Sequence, residues 1–487
     1  MTEQKSIKKN IIMNSLLTMS AFIFPLITFP YVSRILLPIG TGKVSFATSF
    51  ISYFNMFAQL GIPTYGIRAC AKVRDNREEL TRTANELLVI NLIFSFISYA
   101  FLAIALVFVP RLFEDRLLYI IVSITIVLNA IGMEWIFKAL EQYTFITKRS
   151  VLFKFIAVIA MFALIHKQED YVIYGGISIF AASASNIFNF LYVRKFIDMK
   201  WMSRYDLKKH MKPVLVFFAM ACATTIYTHM DAVMLGFLAT DEDVGFYNAA
   251  VKIKQILVSL VTSISAVLLP RASYYIEHGL TNEFERISKK ALNFVFLAAT
   301  PMMVFFVIFA KQGVFFLSGS AFSDSIIPMQ IIMPTLLFIG ITNILGIQML
   351  VPLGKEKQVL WSAIFGAIAN LIVNILLIPR YVSAGAAIGT LVAEFVVLIY
   401  QIFVLRKKVK EALLGIKYWK IVIALVLGVV SSIWVLYLQL DSFFTLLISG
   451  VLFFAVYSIS LLILKESMML EIWGMALGLI KRKNRSN

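Results

Sequence analysis

The sequence predicts an all-α polytopic membrane protein with about 14 transmembrane helices, arranged as two parallel six-helix lobes plus two C-terminal helices. Three observations support this fold class: the composition, a series of long apolar runs and the distribution of basic residues. Of 487 residues, 60% are hydrophobic and 15% are charged, whereas soluble domains carry about 25% charged residues. The chain is therefore not expected to be a soluble protein.

Apolar runs of roughly 20 residues recur from one end of the chain to the other, and a helix needs about 20 such residues to cross a hydrocarbon core about 30 Å thick. Unpaired backbone groups are not tolerated in lipid, so only helices or closed barrels can span it, and runs this long indicate helices. We predict spans at 11–33, 44–66, 84–110, 117–138, 148–166, 171–193, 213–237, 244–270, 290–311, 327–351, 358–379, 383–405, 418–438 and 443–464.

The net charge of +18 follows from basic residues that collect on one side of this topology. One set of alternate loops, which includes both termini, holds 35 of the 45 Lys and Arg residues, and the other set holds 7. The remaining three, Lys154, Lys252 and Lys254, fall inside predicted spans, away from the span ends. The positive-inside rule then predicts that both termini are cytoplasmic, and it explains the charge without nucleic acid as a partner.

All predicted loops are short. The longest outer loop, 312–326, is too small for a catalytic domain, and the sequence has no GxxxxGK[ST] phosphate-binding loop. Cys70 and Cys222 have no metal-ligand spacing. We therefore predict no enzyme activity, no catalytic residues, no metal and no cofactor, and leave open whether transport is coupled to H⁺ or Na⁺.

The two halves of the chain repeat weakly at a period of 200–212 residues. VSFA at 44–47 matches VGFY at 244–247, and YV at 171–172 matches YV at 381–382. The repeat predicts an N-terminal lobe at 1–200 with spans 1–6 and a C-terminal lobe at 201–410 with spans 7–12. Spans 13–14 and a basic cytoplasmic tail would occupy 411–487. Parallel repeats of this kind are one architecture of alternating-access transporters.

Several short segments resemble one transporter family. GMEWIFKALE at 132–141, continued by YTFITKR at 143–149, is similar to a Glu-Trp-aromatic…Leu-Glu segment at the end of its fourth span. PYVSRIL at 30–36, LGIPTYGIR at 60–68 and DAVMLG at 231–236 are also similar, whereas LPIGTG at 37–42 departs from the usual Leu-Gly-Pro. The chain thus resembles the polysaccharide flippase branch (O-antigen, capsule or teichoic-acid type) of the multidrug/oligosaccharidyl-lipid/polysaccharide (MOP) superfamily over nearly its whole length.

The resemblance implies a function. Such a flippase moves an oligosaccharide repeat unit, linked to undecaprenyl diphosphate, from the inner to the outer leaflet for cell-surface polysaccharide export. It implies a multi-pass protein of the bacterial inner (plasma) membrane. Its expected partners are the lipid-linked oligosaccharide, membrane lipids and a polysaccharide polymerase.

Polar residues within spans are candidates for binding this substrate, because they are costly in lipid unless they face a partner or a lumen. Lys154 could attract the diphosphate or snorkel to the cytoplasmic interface, and of Lys252 and Lys254 one could serve the cavity and the other a helix contact. Arg34, near the outer end of span one, could guide anionic head groups or anchor the interface. Two amide pairs, each one turn apart, could bind sugar hydroxyls or bond between helices. The candidates are Arg34, Lys154, Lys252, Lys254, Asn55, Gln59, Asn370 and Asn374.

Four further residues are candidates for coupling or gating. Glu134 could pair with a cation at the cytoplasmic entrance or cap the bundle. Glu394, near the centre of a span, could bind H⁺ or Na⁺ or pair with a lysine. Asp231 with His229 raises the same coupling hypothesis, although a lone His on an apolar helix is more often structural.

Three other functions fit parts of the sequence. A drug/cation antiporter of the same superfamily would need an acidic cavity around Glu394 and Asp231. A membrane glycosyltransferase or polymerase would need a catalytic cluster, usually on a sizeable hydrophilic loop, which the short outer loops disfavour. A non-transporting membrane component of a polysaccharide assembly complex is the third alternative.

Overall fold

A computed structural model describes residues 7–199 and 205–474, and within these ranges every regular element is helical. The predicted all-α class is thereby confirmed. From position 475 onward, the predicted basic C-terminal tail lies outside the described residues.

Two compact units divide the chain at Asn248. The helices of the first unit, Met1–Asn248, are α1 (Ile7–Gln59), α2 (Ile62–Lys72), α3 (Arg77–Phe108), α4 (Arg116–Gly132), α5 (Glu134–Ala139), α6 (Tyr143–Leu164), α7 (Tyr171–Ile179), α8 (Asn186–Tyr192) and α9 (Lys208–Leu238). Helix α10 (Asp241–Glu277) begins in this unit and continues into the second. A π-helical turn, Phe180–Ala184, joins α7 to α8.

The second unit is Ala249–Asn487. Its helices are α11 (Thr281–Ile308), α12 (Ala310–Ser318), α13 (Ile326–Ile332), α14 (Thr335–Asn343), α15 (Glu356–Leu414), α16 (Tyr418–Ile433) and α17 (Ser442–Ile463). A further helical stretch covers 467–474. Helix α9, which contains predicted span seven, belongs by its packing contacts to the first compact unit. The sequence repeat assigns the same span to the second lobe. The division into lobes stays a prediction.

Local sequence signals fix where several helices begin. Asn76 accepts hydrogen bonds from the backbone N–H groups of Glu78 and Glu79 at 3.0 and 3.3 Å, which caps the N-terminus of α3. Thr240 and Asp243 form a reciprocal capping box before α10, in which each side chain accepts from the other residue's backbone N–H at 3.2 Å. Helix α3 thus begins seven residues before the predicted span 84–110, and α10 begins three residues before the predicted span 244–270.

Two very long helices contain breaks at the predicted hairpins. In α1, Leu37 has φ 57° and ψ −178°, and in α15, Val382 has φ 43° and ψ −119°. These left-handed values interrupt the helical hydrogen-bond ladder. The breaks fall between predicted spans one and two and between spans eleven and twelve, so each long helix comprises two of the predicted segments.

Within the described ranges, nine helical stretches are long and apolar enough to cross a membrane, or ten if the bent pair Ser320–Ile332 and Thr335–Leu350 forms one span. Two of them, Ile23–Lys72 and Glu356–Arg406, are 50 and 51 residues long. Since one crossing needs about 20 residues, each is long enough for two. The chain is a multi-span membrane protein, and the count of 14 stays a prediction.

Candidate functional site

Three cations, one carboxylate and one hydroxyl form a cluster around the junction of α5 and α6. Oε1 of Glu134 lies 2.9 Å from Nζ of Lys138, and its Oε2 lies 3.6 Å from Nη2 of Arg149 on α6. Farther along α6, Lys154 donates from Nζ to Oγ of Ser20 on α1 at 2.8 Å and interacts electrostatically with Glu134. We call Ser20, Glu134, Lys138, Arg149 and Lys154 the cationic cluster.

Aromatic packing holds the helices of this cluster in place. Trp135 and Phe137 of α5 are buried in the core. The ring of Phe137 stacks on that of Phe145 in α6, with centroids 5.4 Å apart. The Arg149 guanidinium lies 5.8 Å from the centroid of the Phe145 ring, in cation–π range. The segment that carries the family resemblance thus forms the wall against which Arg149 packs.

Arg149 is the most unusual member of the cluster, because its side chain is only 7% exposed. Its Nε and Nη1 have no hydrogen-bond acceptor among the described residues. A guanidinium presents five donors in a rigid fork that matches phosphate or carboxylate. Leaving buried charged donors unpaired is costly. The geometry therefore suits an anion that binds beside Glu134 and supplies the missing acceptors.

Sequence reasoning predicted Lys154 and Glu134 but missed Arg149. In the sequence, Lys148 and Arg149 stand together at the cytoplasmic end of the predicted span 148–166 and resemble a pair of basic anchors. The structure separates them, since Lys148 is exposed and Arg149 is buried. Helical periodicity offered a signal, because neighbouring positions point about 100° apart on a helix and so cannot share one environment.

A chain of small polar groups crosses the first unit between α1, α4, the π-helical turn and α8. Asn129 on α4 donates from Nδ2 to Oδ1 of Asn55 at 3.2 Å and accepts at Oδ1 from Nδ2 of Asn186 at 3.0 Å. Oγ of Ser183 lies 3.3 Å from the same Oδ1. The predicted residue Asn55 therefore bonds between helices. Gln59, one turn further, is buried, and its Nε2 has no partner in the described part of the chain.

The predicted coupling pair on α9 is divided between two partners. The Tyr247 hydroxyl donates to Oδ2 of Asp231 at 2.5 Å, and Asp231 is buried. Nδ1 of His229 lies 3.4 Å from Oγ of Ser49 on α1. The structure therefore places Asp231 and His229 on the same helix, where each side chain contacts a partner of its own.

A second buried carboxylate, Glu86 on α3, was not predicted. It accepts from Nζ of Lys209 at 2.7 Å and from the backbone N–H of Asp206 at 2.9 Å, and Nε2 of His210 lies 2.9 Å from its Oε2. On the other side of the imidazole, the Tyr65 hydroxyl lies 2.9 Å from Nδ1. Glu86 lies inside the predicted span 84–110. An ionisable residue within a span indicates a partner or a functional role, so its position could have identified it.

At the opposite ends of these helices, on the predicted outer side, other pairs connect the first unit. Lys43 lies 3.0 Å from Oδ1 of Asp115, to which the Tyr171 hydroxyl also donates at 2.7 Å. Arg111 forms an ion pair with Asp241. Arg34, predicted to guide anionic head groups, is exposed and donates from Nη1 to the Pro30 carbonyl at 2.6 Å.

Close backbone approach accompanies these pairs. A Cβ at Gly42 would overlap the carbonyl of Asp241, and a Cβ at Gly245 would overlap the carbonyl of Pro38. These two glycines allow the bend after the first half of α1 to touch the start of α10.

The remaining predicted residues lie in the second unit. Asn374 donates from Nδ2 to Oδ1 of Asn370 at 3.1 Å, and both are buried. A Cβ at Gly389 would overlap Oδ1 of Asn374, so the amide packs on the second half of α15. Glu394, on that same half, is 6% exposed. The two amides therefore bond to each other along one face of α15, and their role stays a prediction.

Lys252 and Lys254 are half-buried on the part of α10 that belongs to the second unit. Lys252 forms no ion pair with any residue in the described ranges. Their roles stay predictions, as do those of all the predicted site residues.

Several known proteins are similar to this chain in sequence or in fold. The "Putative O-antigen transporter" of Escherichia coli K12 is 23% identical over 401 residues, which cover 81% of this chain and 96% of that protein. Among solved structures, the lipid II flippase MurJ in an inward closed conformation has a TM-score of 0.72 at 17% identity, covering 94% of this chain and 100% of MurJ. An inward-facing multidrug resistance MATE family transporter of the MOP superfamily has a TM-score of 0.58 at 15% identity, covering 82% of this chain and 99% of that protein.

The sequence relative confirms the resemblance to the polysaccharide-transport branch, and the two solved structures show that the chain shares their fold. The family described as "Polysaccharide biosynthesis protein" matches residues 7–276, more than half of the chain and all of the elements that form the cationic cluster. The chain therefore belongs to the family described as "Polysaccharide biosynthesis protein".

Proposed function

We propose that this protein is a flippase that moves an undecaprenyl-diphosphate-linked oligosaccharide repeat unit from the inner to the outer leaflet by alternating access. Its product would feed cell-surface polysaccharide export. The family, the name of the E. coli relative and the MurJ-like fold support flipping of a lipid-linked glycan. The observation that carries the substrate chemistry is the buried Arg149, two of whose nitrogens have no acceptor among the described residues.

The cationic cluster would hold the anionic part of this substrate. A diphosphate offers oxygens on two phosphorus atoms, so the Arg149 fork can bind one phosphate through paired hydrogen bonds while Lys154 attracts the other as a point charge. Glu134 and Lys138 already form a pair, and Glu134 lies 3.6 Å from Nη2 of Arg149. Glu134 would therefore orient the guanidinium and leave Nε and Nη1 for the substrate.

The other parts of the substrate have different requirements. The undecaprenyl tail can stay in the bilayer, since burial of its hydrocarbon needs no protein path. The sugars need hydrogen-bonding groups, and Asn55, Gln59, Asn370 and Asn374 are the proposed sources. Asp231, His229 and Glu394 are the proposed coupling groups, while Arg34, Lys252 and Lys254 are proposed to guide the head group.

The energetics allow the flip without hydrolysis of ATP by this chain. A potential that is negative inside favours outward movement of an anion by about 2.3 kcal/mol per charge per 100 mV. Two phosphate charges would gain roughly 4–5 kcal/mol at 100 mV. We propose that the membrane potential suffices and that coupling to H⁺ or Na⁺ adds to it where present, with no cofactor and no catalytic step.

The proposed location is the bacterial inner (plasma) membrane with both termini in the cytoplasm, as the distribution of Lys and Arg indicates. The proposed partners are the lipid-linked oligosaccharide, membrane lipids and a polysaccharide polymerase on the outer side. The net positive charge of the cationic cluster favours an anionic substrate over the cations that a drug antiporter would carry.

Deletion of the gene tests this function in the cell. We expect an undecaprenyl-linked glycan to accumulate on the cytoplasmic face, detected by extraction of lipid carriers and by protection from an impermeant glycosidase. Unchanged glycans together with altered drug sensitivity would instead support the antiporter. An accumulated glycan on the outer face would support the non-transporting assembly component.

A further inference from the structure

The second unit contains a basic pocket that the proposed transport path does not use. A cavity of about 240 Å³ opens where the start of α11 meets the turn after α15 and the helical stretch 467–474. Its lining includes Arg286, Lys289, Lys290, Gly415, Met468 and Glu471. We call this cavity the basic pocket. It lies on the side that the charge distribution predicts to be cytoplasmic.

Buried contacts around the basic pocket give it a defined shape. Glu466, only 6% exposed, accepts from Nδ2 of Asn293 at 3.1 Å and from the backbone N–H of Met469 at 2.8 Å. Nearby, the buried Lys420 donates to the carbonyls of Leu464 and Lys465 at 2.6 and 2.9 Å. These bonds fix the end of α17 and the start of 467–474 against α11 and α16.

Among the described residues, one cation of the pocket has no carboxylate partner. Lys290 lies 2.9 Å from both carboxylate oxygens of Glu471, and Arg286 lies 3.2 Å from Glu283. Lys289 forms no ion pair with any residue of the described ranges, and its ammonium lies against Gly415, where a Cβ would overlap it. The Arg286 pair is 71% and 43% exposed, so it is weak and leaves guanidinium donors for a ligand.

The volume of the pocket and the apolar side chains beside it indicate which class of ligand it binds. Pockets for drug-sized molecules measure about 300–1,000 Å³, so a cavity of about 240 Å³ suits a smaller group such as one phosphate with its attached headgroup. Beside it, Leu470, Ile472 and Trp473 are 44%, 41% and 51% exposed. Exposed apolar and Trp side chains are typical of a helix at the membrane interface. The pocket would therefore open at headgroup depth.

We propose that the basic pocket binds the phosphodiester headgroup of an anionic membrane lipid, separately from the transported substrate. Arg286 and Lys289 contact the phosphate, while Met468 and the exposed face of 467–474 contact the first part of the acyl chains. Basic pockets between helices on the cytoplasmic side bind lipid headgroups in this way. The bound lipid would fix spans 13 and 14, which the two-lobe repeat leaves unexplained.

The experiment compares lipids retained by the full chain. The purified protein is placed in nanodiscs of phosphatidylcholine that contain a small fraction of phosphatidylglycerol, and the retained phosphatidylglycerol is counted by native mass spectrometry after release. We expect the Arg286→Gln/Lys289→Gln variant to bind phosphatidylglycerol about 30-fold more weakly, at about fivefold per cation. Glu471→Gln should bind it more tightly, because Lys290 is released from its carboxylate.

The matched control is Lys355→Gln/Lys357→Gln, which removes two exposed cations from the same unit and the same predicted side. We expect its phosphatidylglycerol binding to equal that of the wild type. Equal losses in the control and the pocket variant would attribute binding to diffuse charge and overturn the proposal, as would unchanged binding in the pocket variant. An unchanged or weaker affinity of Glu471→Gln would also contradict it.

Two competition arms distinguish the sources of the phosphate. Inorganic phosphate at millimolar concentration should not displace phosphatidylglycerol, and displacement would assign the pocket to free phosphate. Undecaprenyl phosphate at equal concentration should not displace it either. Displacement by undecaprenyl phosphate would make the pocket part of the transport path and overturn the separate lipid site.

Discussion

Nε2 of His210 on α9 lies 2.9 Å from Oε2 of Glu86 on α3, and both side chains are buried. In the neutral imidazole one ring nitrogen donates and the other accepts. Donation from Nε2–H to the carboxylate leaves Nδ1 to accept from the Tyr65 hydroxyl, 2.9 Å away. The sequence repeat assigns α3 to the first lobe and α9 to the second. On that predicted division into lobes, the relay links two helices that the proposed alternating access would move.

Replacing the carboxylate should weaken this link. We expect Glu86→Gln to lower the free energy of unfolding of the purified protein by about 1–3 kcal/mol, because a buried charge-assisted hydrogen bond is lost. Its melting temperature should fall accordingly. Glu78→Gln, an exposed change in the first turn of the same helix, is the control and should have little effect. Equal stability of the two variants, measured by fluorescence-detected size exclusion after heating, would contradict the role given to Glu86.

Arg149 should contribute to transport through its fork of donors. Arg149→Lys keeps the positive charge but removes the bidentate geometry, so we expect transport to fall by about 10-fold or more, the equivalent of one charge-assisted hydrogen bond of about 1.5–3 kcal/mol. Transport by Arg149→Gln should fall at least as far. The control is Lys148→Gln, the exposed neighbour, which should retain wild-type transport. Full activity of Arg149→Lys would show that charge alone is required.

Ser20 should act only through Lys154. Because Ser20 Oγ accepts from Lys154 Nζ at 2.8 Å, Ser20→Ala and Lys154→Gln should each reduce transport, and the double variant should be no worse than Lys154→Gln alone. Neighbours in one hydrogen bond are expected to be non-additive. Additive losses in the polymer-export assay would mean that the two residues act independently.

The contact between α1 and α10 should tolerate no side chain at Gly42. A Cβ there overlaps the Asp241 backbone, and backbone atoms cannot move aside cheaply. We expect Gly42→Ala to reduce the yield of folded protein severely. Gly176→Ala is the matched control, because its Cβ would lie at an ordinary 3.5 Å from Cγ2 of Ile121. Normal folding of Gly42→Ala would contradict the close approach.

The sequence predicted the all-α membrane fold because membrane insertion is governed by local properties. Apolar length and basic loops depend on neighbouring residues alone, and the breaks at Leu37 and Val382 fall where the polar residues between predicted spans indicated hairpins. The limits of the compact units were not predicted. A repeat records how a chain duplicated, whereas the contacts of α9 depend on tertiary packing.

The candidate site was predicted less completely. Lys154 stood out because an isolated lysine in an apolar run has few explanations. Arg149 did not, because next to Lys148 it fits a membrane-end anchor, and only the packing of α5 against α6 buries it. Glu86 was missed because a carboxylate near a helix end fits a solvated position. Its partners Lys209 and His210 are more than 120 residues away in the sequence. No local sequence pattern predicts a contact over that separation.

The measurement that tests the central claim most directly is flipping by the purified protein in liposomes. A lipid-linked oligosaccharide is placed in one leaflet, a potassium gradient with valinomycin sets the potential, and a membrane-impermeant glycosidase reports exposure of the sugar. We predict flipping that depends on this protein, accelerates when the potential drives the anion across, and falls at least 10-fold in Arg149→Gln, as expected for a lost charge-assisted contact. Flipping that is absent, or equally fast in the wild type and in Arg149→Gln at every potential, would contradict the account.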